Sequence, residues 1–179
     1  MSMQTQAHPL EPFFHQAVRN NCEGKLGVHD PEMMNYIAHL LCEFTEADNL
    51  FKVRDEVGHS IDELKLMMQA SDPIFGNASS FDTERSVRKY IGDYALFVAG
   101  MMPPTEDQQQ NHRPSLGELI DAGKESYYIV SQFNLFEYQE DAPLFARLSE
   151  GFERCILGLN LVREELASGR LPLPHAELQ

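Results

Sequence analysis

The chain has 179 residues, 42% of them hydrophobic, which suffices for one domain around a single buried core. Its formal charge is −14, and the 14 basic residues are scattered without a run of Lys or Arg. A surface of that sign repels phosphate backbones and anionic headgroups, so nucleic acid and membrane partners are disfavoured.

Phe13, Phe14, Ala17, Val18 and Cys22 recur at helical spacing and predict a first helix that stops near Gly24. Asp30 is a good N-cap, Pro31 suits the first helical position, and Glu32 favours the positive helix end. Met33, Met34, Ile37, Leu40, Leu41 and Phe44 then form the apolar stripe of a second helix, with His39 and Glu43 on its polar side. Over residues 49–70 the apolar positions continue through Leu50, Val53, Val57, Ile61, Leu64 and Met68. One helix fits that spacing, but Gly58 weakens its middle and Ser60 with Glu63 makes a capping box, so a break there fits equally.

Asp82 is expected to cap the next helix, which runs to about Gly100 or Met102. Its first turns are charged and its later turns apolar almost all round, which predicts a central, buried helix. Gly92, Ala95 and Ala99 line a narrow stripe where another helix could approach closely. Residues 103–114 read as a mobile polar loop. Ser115 and Glu118 form a second capping box, opening a helix through Leu119, Ile120, Tyr127 and Val130. A turn follows, and then the longest amphipathic run, residues 143–168.

No segment alternates with period two. The expectation is an all-α, single-domain helical bundle of five to seven helices around a buried central helix at 94–102. Residues 1–8 and 170–179 are expected to be flexible ends. Cys22, Cys42 and Cys155 are odd in number, far apart and without a C-x-x-C pair, which argues for reduced thiols in the cytoplasm. The first 12 residues are polar and suggest no secretory leader, and no apolar run approaches the roughly 18 residues needed to span a bilayer.

Metal ligation is suggested by Glu56-x-x-His59, a spacing that places a carboxylate and an imidazole on one helix face in di-iron bundles. His39 and Glu43 sit one turn apart on the preceding helix, and a hairpin about Asp48 would bring all four together around a transition metal. The competing reading is a solvated acidic face with surface histidines, since a ferritin-like site needs two such motifs. Asp93 is a candidate acid or base because it enters an apolar helical half; Lys89 and Arg85, one and two turns earlier, offer it an ion pair instead. Lys124 with Tyr127 is a third candidate, for polarising a carbonyl. Tyr127 also fits the apolar stripe as a core residue with its hydroxyl hydrogen-bonded at the rim. Nucleotide-binding loops and nucleophile elbows are absent, which argues against an enzyme.

The segment from Gly92 and Asp93 through Leu96, Phe97 and Gly100 to Pro103 resembles a G-D-x-x-L-F-x-x-G-x-x-P pattern in a group of uncharacterised bacterial all-helical proteins. The resemblance implies a compact bacterial cytoplasmic protein and carries no activity. Two functional classes remain. One is a protein acting through a protein partner or as a homodimer, with the run at 143–168 as the interface. The other is a bundle that binds a metal or a small-molecule ligand, with a non-haem iron enzyme as one form.

Overall fold

The computed structural model describes residues 9–45, 65, 66, 68, 69, 74, 80–105 and 113–169. Among them are six α-helices and no strand: α1 (Glu11–Val18), α2 (Pro31–Thr45), α3 (Phe81–Met101), α4 (Leu116–Ser131), α5 (Ala142–Glu150) and α6 (Phe152–Ala167). A π-helical turn, Arg19–Glu23, extends α1, and a 3-10 turn, Phe136–Tyr138, precedes α5. One apolar cluster draws side chains from all six helices. No described helix is long and apolar enough to cross a membrane. Glu56, His59, the region around Gly58, both chain ends and most of the 103–114 loop lie outside the described residues.

Helix starts follow the local chemistry. Asp30 Oδ1 accepts the Met33 amide at 3.1 Å, closing the open end of α2. At α4 both halves of the capping box form: the Glu118 amide donates to Ser115 Oγ at 3.2 Å and the Ser115 amide to Glu118 Oε2 at 2.8 Å. The cap of α3 is Ser80, whose Oγ accepts the Thr83 amide at 3.2 Å, and not Asp82. Asp82 stands in the first turn, where its carboxylate takes the Tyr138 hydroxyl at 2.9 Å.

The centre of the molecule is the later half of α3, buried from Ile91 to Phe97 and again at Ala99 and Gly100. It packs most extensively on α4 and then on α6. Both approaches rest on glycine. A Cβ at Gly92 would stand 2.5 Å from the Tyr127 ring, and one at Gly100 would stand 2.5 Å from Leu159. Gly123 serves the same purpose on α4, where any Cβ would overlap the Phe152 ring.

The amphipathic run at 143–168 is two helices rather than one. Gly151 has φ −94° and ψ 17°, which ends α5 and opens α6. A Cβ there would meet the Arg147 carbonyl at 3.3 Å and Met33 at 3.5 Å, so the bend sits where α2 crosses. Phe145, Leu148, Phe152, Ile156, Leu159 and Val162 all point into the chain's own core. Arg147 fixes the crossing from the other side, donating to Asp30 at 2.8 Å and to Glu32 at the head of α2.

Candidate functional site

Asp93 is 5% exposed and sits on α3 one residue after the small Gly92. Its Oδ1 accepts the Tyr36 hydroxyl of α2 at 2.5 Å and the Tyr127 hydroxyl of α4 at 2.7 Å. Its Oδ2 accepts from Lys89 Nζ, one turn earlier on α3, at 2.9 Å. A buried carboxylate is costly without such donors, and here three of them converge on it. Lys89 Nζ also lies 5.5 Å from the centre of the Tyr36 ring. Arg85 takes no part, pairing with Asp141 at 3.6 Å and stacking on Tyr138 at 4.1 Å.

Burial, and then the negative charge of Asp93, push the hydroxyls of Tyr36 and Tyr127 well above the usual tyrosine range. Both therefore remain protonated donors. Asp93 lines neither of two cavities formed by described residues near α2, and its oxygens are occupied. It acts as a structural hub tying three helices.

Among the sequence candidates, Tyr127 joins Asp93, with its hydroxyl in the interior and not at the rim. Lys124, three residues before Tyr127, turns outward to grip Glu153 of α6 at 2.8 and 3.0 Å. Tyr36 was not among the sequence candidates, although its spacing of three from Met33 and four from Leu40 puts it beside the apolar stripe.

A second cluster lies where α1 faces α2. Glu11 and His15, one turn apart on α1, meet His39 of α2. Glu11 Oε1 is 3.5 Å from the Nε2 of each histidine, and the two imidazoles meet edge-to-face with centroids 5.6 Å apart. One ligand atom from each of the three falls within 4.8 Å of the others, the one such group of three or more among the described residues. Glu43 is exposed on α2 and stands outside it. His39 therefore does converge with a carboxylate, but across α1. The signal was the i, i+4 pair Glu11 and His15, and it was missed because the helix starts at Glu11, two residues before the apolar spacing begins.

Two cavities lie along the α1–α2 connection, the smaller one beside His15. One of about 330 Å³ is lined by His15, Arg19, Glu23 and Asn35, among others. A larger one of about 670 Å³ shares His29 and Met34 with it. Cys22 and Cys155 border the larger cavity as buried thiols, and Cys42 is also buried; none of the three is in a disulfide. Among known families, curated proteins and solved structures, none matches the chain.

The tyrosine–carboxylate hub has a signed pH dependence. The raised Tyr36 and Tyr127 values contribute stability that is complete below the unfolded tyrosine value of about 10 and is lost as pH rises above it. The urea midpoint should therefore fall between pH 8 and pH 11. Y127F, which removes one titrating group and one donor to Asp93, should cost about 1–3 kcal/mol at pH 8. It should also fall less steeply with pH, and parallel pH profiles for wild type and variant would contradict the hub.

Proposed function

We propose that this chain is a metal-binding helical bundle that holds a divalent transition ion at Glu11, His15 and His39. The convergence of these three ligands carries the reading. The 3.5 Å separations of Glu11 Oε1 from each Nε2 match the edge of a tetrahedron with metal–ligand bonds of about 2.1 Å. Two imidazoles and one carboxylate form a donor set that suits zinc, iron(II), cobalt or nickel, and three protein ligands leave a position for water or another ligand. His39 is 59% exposed at its side chain, so an ion reaches it directly. The charge of −14 favours local enrichment of cations.

Calorimetric titration of the full chain with zinc should give one site per chain. H39A, an exposed substitution, should weaken that site at least about tenfold, equal to 1.4 kcal/mol, while H59A leaves it unchanged. Unaltered zinc affinity in H39A, or its loss in H59A, would overturn the assignment.

A second reading, association with a protein partner or a second copy, is supported by the turn before α5. Leu135 is 67% exposed and Phe136 is 91% exposed, the latter at φ +53°. Apolar side chains held out in that way are common at contact surfaces. Light scattering should then give twice the chain mass of 20.4 kDa, reverting to the single mass in L135S/F136S. A single-chain mass for the unmodified protein would reject the homodimer.

A further inference from the structure

The larger cavity lies between the Gly27–Asp30 loop, α2, the bend at Gly151 and the first turns of α6. Its volume of about 670 Å³ is within the range of small-molecule sites, about 300–1,000 Å³. Met33, Met34 and Ile37 of α2 form an apolar floor, and unbranched methionines adapt to flexible ligands. Burial pushes the Cys22 thiol up to about 11 and the Cys155 thiol up to about 12. At neutral pH both are therefore uncharged and extend the apolar surface.

The polar rim is uneven. Arg147 is engaged by Asp30 and Glu32, and Glu153 by Lys124. Arg154, on α6, lines the mouth and makes no ion pair or hydrogen bond with another described residue; Glu150, one turn earlier on the same rim, does not pair with it. Arg154 is exposed, so its guanidinium is open to a ligand. It stands at the opening of an apolar cavity, and Leu157 extends the apolar wall past it at 53% exposure.

We infer that this cavity binds a medium-chain aliphatic carboxylate, the chain lying over Met33, Met34 and Ile37 and the carboxylate held by Arg154. Arg is suited to that headgroup because its planar fork presents paired donors to both carboxylate oxygens. The inference is independent of the metal site: it uses none of Glu11, His15 and His39.

Calorimetric titration of the full chain with octanoate, decanoate and 1-octanol, all below micelle-forming concentrations, tests it. Binding should saturate at one ligand per chain, and decanoate should bind about 15-fold tighter than octanoate for its two extra methylenes. R154Q should weaken octanoate about tenfold and leave 1-octanol unchanged. L157S should weaken all three ligands. Both substituted residues are exposed, so circular dichroism should show an unaltered fold. H39A should bind octanoate like wild type; a loss there would place the carboxylate on a metal and overturn the assignment to Arg154. Absence of saturable binding, or equal weakening of octanoate and 1-octanol by R154Q, would also overturn it. So would co-sedimentation with neutral-lipid vesicles doped with decanoate, which would reassign the surface to a bilayer.

Discussion

The carboxylate of Asp93 holds α2, α3 and α4 together through one side chain. Tyr36 and Tyr127 reach it from different helices at 2.5 and 2.7 Å, and Lys89 reaches it from its own helix. The arrangement depends on Gly92, because a side chain there would meet the Tyr127 ring before its hydroxyl came within range. Buried charge of this kind fixes geometry more than it adds stability, since desolvation offsets much of the attraction. Two phenolic donors and one ammonium leave few other ways of packing these helices.

Fixing α2 also fixes His39. On a helix, residues three apart are about 60° apart around the axis, so with Tyr36 turned toward Asp93 the next turn presents His39 along the flank that α1 covers. Glu11 and His15 meet it there because the π-helical turn and the Gly24–Asp30 connection bring α2 back against α1. Asn21 in that turn is fully buried and donates to the Ala17 carbonyl at 2.8 Å and to Glu165 at 3.1 Å, tying the α1 end to α6. The candidate metal ligands thus lie on helices held by Asp93 and Asn21, with the smaller cavity beside His15.

Much of the fold was legible in local chemistry. Asp30 with Pro31, and Ser115 with Glu118, marked helix starts because capping needs only residues within one turn. The apolar second half of α3 marked the centre because no face of it tolerates water. The split at Gly151 was hidden: the apolar period runs through it unbroken, and the bend follows from α2 crossing close by. Ser80 took the cap expected of Asp82: it is the extended residue before the helix, while Asp82 lies within the first turn and accepts from Tyr138, 56 residues away.

The site was less legible for the same reason. That Asp93 is a special carboxylate could be read from its apolar neighbours, but its partners Tyr36 and Tyr127 are brought in by tertiary packing. Lys124 and Tyr127 share a helix yet serve different neighbours, Glu153 and Asp93. His39 was a sound ligand candidate; periodicity does not say which neighbouring helix will cover it. X-ray absorption at the zinc edge of the loaded full chain should show two imidazole nitrogens and one carboxylate oxygen at about 2.0–2.2 Å. An all-oxygen shell, or thiolate sulfur at about 2.3 Å, would contradict a site at Glu11, His15 and His39.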